Sequence, residues 1–160
     1  MRSRRAAVVL PLLVVLAACA REEPPSLTAT EITAYAPLPG QPAGVAYFSL
    51  TNSAASAVTL RRVTSPDFAR VEMHTTLVDD GLARMMALDS LTIAEHSGIA
   101  FAPGGPHLML MEAANGLAVG DVVTLEFHFV YEEYVVDDER RHDGTGEDGF
   151  LAVRAPLQSR

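Results

Sequence analysis

The sequence predicts an all-β protein, built as a sandwich or barrel, on three observations. The chain divides into a series of short segments with the apolar alternation and the β-branched and aromatic residues of strands. Turn-forming glycine, proline, asparagine and aspartate separate these segments at fairly regular intervals. No stretch shows the apolar periodicity of a convincing long helix. Many short strands joined by frequent turns are typical of sandwiches and barrels.

The N-terminus predicts an export signal that must be set aside before the fold is considered. Arg2, Arg4 and Arg5 precede an apolar run over residues 6–18 that is too short for a comfortable membrane span. The run ends in Leu16-Ala17-Ala18-Cys19, which resembles the lipobox of bacterial lipoproteins. Residues 1–18 are therefore predicted to be a lipoprotein signal peptide, with Cys19 lipidated. In the alternative, the signal is an ordinary one and Cys19 is incidental.

Residues 19–26 follow as a lipidated cysteine and a flexible tether, because Arg-Glu-Glu-Pro-Pro-Ser has no apolar periodicity. This places the domain on the periplasmic side of the cell envelope, held to the membrane only by its lipid anchor. Cys19 is the only cysteine, so the domain has no disulfide. Residues 1–18 carry three arginines and no acids, so the formal charge of -8 becomes -8 minus 3, or -11, on the mature chain. This acidic balance, with no basic stripe, argues against nucleic-acid partners.

The folded part is predicted to be a single domain over residues 27–158. Its predicted strands are Leu27–Tyr35, Val45–Thr51, Ala57–Val63, Ala69–Thr75, Leu82–Leu88, Leu91–Ile93, Ile99–Phe101, His107–Met111, Val122–Tyr131 and Phe150–Val153. The intervening turns carry Pro-Gly, Asn-Ser, Pro-Asp, Asp-Gly and Pro-Gly-Gly sequences. Residues 69–71 could instead continue a helical turn begun by Ser65-Pro66-Asp67. Before the last strand, residues 137–149 form an acidic loop.

Three short segments concentrate histidine and methionine: Met73-His74, Met85-Met86 and the run from His107 to Met111. Successive side chains on a strand point to opposite faces, so His107, Met109 and Met111 share one face while the leucines between them point to the core. By the same argument only one member of each of the first two pairs can face a given site. The turn at residues 79–81 would bring those two segments together, with His74 across from the Met85 region.

Two histidines with two methionines would favour Cu(I) over zinc, calcium or magnesium, because thioether sulfur is a soft, neutral donor. The absence of a thiolate argues against a blue-copper electron-transfer centre. Taken singly, each of these residues is more often structural, since methionine commonly fills gaps in cores. Met73 and Met86 are expected to lie in the core or beside the ligands without binding the ion. Met111 is expected to pack, and a role as a reserve donor stays open. His96 and His128 are expected to face solvent, and His142, in the acidic loop, is a weak candidate for a second copper site.

The spacing His-x10-Met-x21-His-x-Met, read from His74 through Met85 and His107 to Met109, resembles the signature of the periplasmic copper chaperones called PCuAC (formerly DUF461). Residues 46–52, Val71-Glu72-Met73-His74, Asp80-Gly81 and Pro103-Gly104-Gly105 also look like that family. Thr75 departs from members that carry methionine there, and Pro106 stands where a bulky residue is common.

The resemblance implies a cupredoxin-like Greek-key β-sandwich that binds one Cu(I) through His74, Met85, His107 and Met109. It implies a monomer that delivers the ion to the copper subunit of cytochrome c oxidase or to an assembly factor. No nucleophile triad, acid–base pair or phosphate loop is visible, so no enzyme activity is predicted. Two alternatives stay open: a copper-sequestering resistance or storage lipoprotein, and a copper-independent envelope interaction module.

Overall fold

The computed structural model describes residues 26–131 and 148–160, and within them every regular element is a strand. No helix in these two ranges is long and apolar enough to cross a membrane. The strands are β1 (Leu27–Tyr35), β2 (Ala43–Asn52), β3 (Val58–Thr64), β4 (Phe68–Asp79), β5 (Leu82–Ala87), β6 (Leu91–Ile93), β7 (Gly98–Phe101), β8 (His107–Ala113), β9 (Val122–Tyr131) and β10 (Asp148–Gln158). The all-β prediction is confirmed.

Several predicted strand boundaries differ from the observed ones by one or two residues, and the largest differences are at the ends of β4, which runs to Asp79 and not Thr75, and of β10. The helical turn considered for residues 69–71 does not form, because β4 already begins at Phe68 and pairs with β8 from its first residue. The last strand was predicted to end at Val153 but runs to Gln158. It continues past Pro156 because it lies between two partners, antiparallel to β9 and, at Leu157, parallel to β1.

The strands form one mixed sheet in the order β5-β4-β8-β2-β1-β10-β9-β3-β6, with β7 also paired to β2. Neighbours in this order are often distant in sequence, as Greek-key crossings require. Among the strands of residues 26–131 and 148–160, the only parallel pairing is the short one between β1 and β10, at Ala34↔Leu157 and Tyr35↔Gln158. It joins one half of the sheet, which contains β4, β5 and β8, to the other half, which contains β3 and β9.

The core lies between the two halves and is built from alternate residues of each strand. In β2 the residues Ala46, Phe48 and Leu50 are almost completely buried, and Phe127 of β9 meets them from the other half. The Phe48 ring stacks on Phe101 at 4.3 Å and meets Phe127 edge-on at 5.0 Å, both measured between ring centroids. Aromatic contacts of this kind add about 0.5–1.5 kcal/mol each beyond the burial of area. One face of β4 and β8, which carries Met73, Leu108 and Leu110, also belongs to this core.

Candidate metal centre

The strand register places the two predicted histidines opposite each other. In the antiparallel pair of β4 and β8, His74 lies opposite His107 and Glu72 lies opposite Met109. Residues directly opposite in a ladder share a face of the sheet. The buried residues Met73 and Leu108 face the core, so the two histidines and Met109 occupy the other face. The ring centroids of His74 and His107 are 6.1 Å apart.

The hairpin of β4 and β5 adds Met85 to the same face. Met85 lies opposite Thr76, and His74 lies opposite Ala87, so Met85 is the diagonal neighbour of His74. Asp80 and Gly81 form the two-residue loop with φ angles of 48° and 78°. Positive φ at both loop residues is the pattern of the type I′ turn, which sets the hairpin register. The expectation that His74 stands across from the Met85 region is confirmed, with an offset of one diagonal step.

The four predicted ligands differ in exposure. His107 is 7% exposed, and the His74 side chain is 15% exposed. Met109 is half-buried, whereas Met85 is 60% exposed. Met85, His107 and Met109 line one cavity of about 370 Å³. The remaining wall of this cavity includes Leu38, Pro42, Tyr47, Pro103 and Arg160.

Each of the two imidazoles forms a hydrogen bond through one of its two nitrogens. His107 donates from Nδ1 to the carbonyl oxygen of Gly105 at 3.0 Å. His74 pairs through Nε2 with the Glu72 carboxylate at 2.9 Å. The Nδ1 atom of His74 is buried and has no hydrogen-bond partner. Buried polar atoms are nearly always paired, so an unpaired imidazole nitrogen here needs an explanation.

These residues fit a soft metal ion. Two imidazoles and two thioethers are the donors that suit Cu(I), and the buried Nδ1 of His74 has no hydrogen-bond partner that a metal ion would have to displace. Over residues 26–131 and 148–160, no three histidine, cysteine, aspartate or glutamate side chains gather as a metal site. The donor set on this face therefore depends on its methionines.

The other methionines of the three segments take different places. Met73 is 5% exposed in the core, as predicted. Met111 is 7% exposed, also as predicted, and its sulfur accepts a contact of 3.1 Å from the Arg70 guanidinium. Met86 is not a core residue, because its side chain is 52% exposed. It lies in β5, an edge strand, and no residue of this strand is buried by the described part of the chain.

The histidines outside the segments were predicted with mixed success. His96 is exposed in a turn, as expected, with a φ of 49°. His128 does not simply face solvent: it is half-buried, hydrogen-bonded to Thr64 Oγ1 at 2.8 Å, with Phe150 edge-on to its ring at 5.4 Å. His142, most of the predicted acidic loop, Cys19 and the predicted signal peptide all lie outside the described residues.

Sequence reasoning missed the side chains that hold His74. Glu72 contacts His74, and Arg70 contacts Glu72 at 3.6 Å and Glu112 at 4.0 Å. Residues 70, 72 and 74 alternate along β4, so the period of a strand would have placed all three on one face. The alternation along β4 therefore predicts Arg70 and Glu72 beside His74, just as it predicts the shared face of His107 and Met109.

Comparison with solved structures shows the class of fold. The "Copper-bound PCuAC domain from PmoF2" aligns with a TM-score of 0.59 at 21% identity, covering 84% of this chain and 94% of that domain. The "Solution structure of CuI-DR1885 from Deinococcus Radiodurans" aligns with a TM-score of 0.58 at 23% identity, covering 88% of this chain and 83% of that protein. At these identities the likeness shows the fold alone, and that fold is the cupredoxin-like β-sandwich of PCuAC domains. The predicted fold class is confirmed.

Sequence comparison shows the family. A family model matches residues 26–135, and the chain belongs to the LpqE-like family ("Putative lipoprotein LpqE-like"). The "Uncharacterized protein RP573" of Rickettsia prowazekii (strain Madrid E) is 30% identical over 84 residues, which are 52% of this chain and 46% of that relative. The matched region is thus less than half the length of the relative.

Proposed function

We propose that this protein is a periplasmic copper chaperone that binds one Cu(I) through His74, Met85, His107 and Met109. The observation that carries the proposal is the register of β5, β4 and β8, which gathers these side chains on the face opposite the core. The buried, unpartnered Nδ1 atom of His74 supports it, because this atom gains a partner when a metal binds. Two proteins of similar fold bind copper, the PCuAC domain from PmoF2 and DR1885, the second as CuI.

The exposure gradient across the site favours delivery over sequestration. A storage site protects its ion, whereas Met85 sits on an edge strand with most of its side chain in solvent. A partner's soft donor can replace this thioether while His107 and Met109, which are more buried, still hold the ion. Exchange of neutral ligands needs no change of oxidation state. We propose the copper subunit of cytochrome c oxidase, or its assembly factor, as the recipient.

The cellular setting is part of the same proposal. Membership of a family described as lipoproteins supports an exported, lipidated chain. We assign the anchor to Cys19, with the domain of residues 27–158 carried on the tether at the periplasmic side of the membrane. The protein acts as a monomer, since its four donors all come from one chain.

A competition titration tests copper binding. The mature protein is titrated with Cu(I) against a colorimetric Cu(I) chelator, and the variant with both His107→Ala and Met109→Ala is compared. Losing two of four donors should weaken Cu(I) binding at least about a hundredfold, equivalent to about 2.7 kcal/mol. The His96→Ala variant is the control, since His96 is an exposed turn residue away from the site. Equal affinity in the double variant and the parent protein would refute the proposed site.

Delivery needs its own experiment. Copper-loaded protein is mixed with the apo copper domain of an oxidase or with an apo assembly factor, and the copper content of each is measured after separation. Transfer to either protein supports a chaperone. If the ion stays on this protein although the acceptor binds Cu(I) with comparable affinity, the result would instead support sequestration.

A further inference from the structure

We infer that Glu72 is a positioning residue that holds His74 in the tautomer presenting Nδ1 to copper, whereas His107 presents Nε2. The inference rests on the proposed function and adds a residue to it. It assigns the two imidazoles opposite ligating nitrogens. The orientation of the His74 ring then depends on the Glu72 side chain, which can be tested by substitution.

The hydrogen-bond chemistry determines which nitrogen carries the proton. An ionised carboxylate can only accept, so the 2.9 Å contact between His74 Nε2 and Glu72 Oε2 requires a proton on Nε2. The neutral ring then has its lone pair on Nδ1, which is the buried atom without a partner. At His107 the acceptor is the Gly105 carbonyl, bonded to Nδ1 at 3.0 Å. That ring has its lone pair on Nε2.

Glu72 is itself held in place by Arg70. Arg70 lies two residues earlier on the same strand face, 3.6 Å from the Glu72 carboxylate. Arg70 also contacts Met111 at 3.1 Å and Glu112 at 4.0 Å, which ties this row of side chains to β8. The row of Arg70, Glu72 and His74 therefore runs along the edge of the donor set, beside Met111 and Met109.

A carboxylate on the non-ligating nitrogen of a histidine does two things for a metal site. It fixes the ring orientation, and it raises the basicity of the ligating nitrogen. The Glu72 carboxylate would also place a negative charge next to the bound Cu(I). The ion would otherwise keep its full charge of +1, because all four proposed donors are neutral. Removal of such a partner typically costs tenfold to a hundredfold in metal affinity.

The first test reads the ring protons of the metal-free protein. In ¹⁵N-labelled protein, two-bond ¹H–¹⁵N spectra identify the protonated nitrogen of each histidine. We expect a proton on Nε2 of His74, slow to exchange, and a proton on Nδ1 of His107. Glu72→Gln keeps an acceptor oxygen and should keep the His74 pattern. Glu72→Ala should abolish slow exchange at His74 and leave His107 unchanged. Glu126→Ala, which removes a carboxylate bonded to Thr64 in the other half of the sheet, is the matched control.

The second test reads the metal-bound nitrogen and the affinity. Ag(I) takes the same soft donors as Cu(I), and its nuclear spin couples to a bound ¹⁵N. Silver coupling to Nδ1 of His74 and Nε2 of His107 is expected, with Cu(I) affinity falling tenfold to a hundredfold in Glu72→Ala, less in Glu72→Gln, and not in Glu126→Ala. Coupling to Nε2 of His74, or unchanged ring exchange and affinity in Glu72→Ala, would overturn the inference. A parent protein that shows the expected ring protons but binds neither ion would instead overturn the proposed function.

Discussion

At the residue scale, the neighbouring methionines Met85 and Met86 of β5 point to opposite faces of the sheet, because side chains alternate along a strand. Met85 lies on the face of His74, and Met86 lies opposite Thr75 on the other face. Both side chains are more than half exposed, so burial does not distinguish them. Only their direction relative to the histidines does. The two residues therefore form a natural pair for testing which methionine binds copper.

We expect Met85→Ala to weaken Cu(I) binding about tenfold or more, equivalent to about 1.4 kcal/mol, because it removes one of four donors. Met86→Ala should leave the affinity unchanged. Chelator competition measures both. Neither variant should alter the thermal unfolding temperature appreciably, since both side chains are largely exposed. An equal loss of Cu(I) affinity in the two variants would contradict a specific role for the Met85 thioether and would attribute the effect to the β4–β5 hairpin as a whole.

At the element scale, a buried asparagine secures the end of β2. Asn52 was assigned to a turn from its Thr-Asn-Ser context, but the structure places it as the last, completely buried residue of the strand. Its side-chain amide donates to the carbonyl oxygens of Ser56, Ile93 and Ala94 at 2.9, 3.2 and 3.0 Å. Its carbonyl oxygen accepts from the Ala54 amide at 3.0 Å. The residue thereby joins β2 to the segment between β6 and β7.

We expect Asn52→Ala to lower the free energy of unfolding by about 3 kcal/mol, because it leaves buried backbone groups without partners. Urea unfolding followed by circular dichroism measures the change. Asn115→Ala is the control, since Asn115 is exposed in a turn. The loss should fall on stability and leave the Cu(I) affinity of the folded protein intact. A destabilisation no larger than that of the control would show that the hydrogen-bond network is dispensable.

At the scale of the whole molecule, the proposed site lies at one edge of the sheet. The four proposed donors lie on β5, β4 and β8, and β5 is an edge strand. The β4–β5 hairpin also exposes Leu77, Val78 and Leu82. The core, in contrast, is shared by both halves of the sheet. This separation allows the donor face to vary without disturbing the packing that stabilises the fold.

The proposed anchor is a property of the whole chain and is tested in cells. Cys19→Ser should move the protein from the membrane fraction to the soluble periplasmic fraction, because lipid chains on Cys19 would be its only attachment. Detergent phase partitioning followed by immunoblotting measures the shift. The purified variant should bind Cu(I) as the parent does. Continued membrane association of Cys19→Ser would contradict lipidation at this residue.

Strand alternation and turn chemistry determined much of this fold in advance. The predicted strands agree with the observed ones to within a few residues over most of the described chain, because each apolar alternation lies between strong turn signals. Errors arose where tertiary pairing decided the outcome. Val153 looked like the end of the last strand, but β9 and β1 extend it past Pro156. Methionine is typical of cores, but every residue of β5, Met86 included, is exposed within the described ranges.

The sequence by itself determined the all-β class, the residue types of the proposed soft-metal site and the face on which each lies along its own strand. Local periodicity contains that information, because it depends only on the direction of successive side chains. The tertiary structure alone decided that His74 stands opposite His107, that Glu72 binds Nε2 of His74, and that Met85 stays exposed while His107 is buried. These facts depend on register and on which strands become neighbours, and both are set by long-range packing.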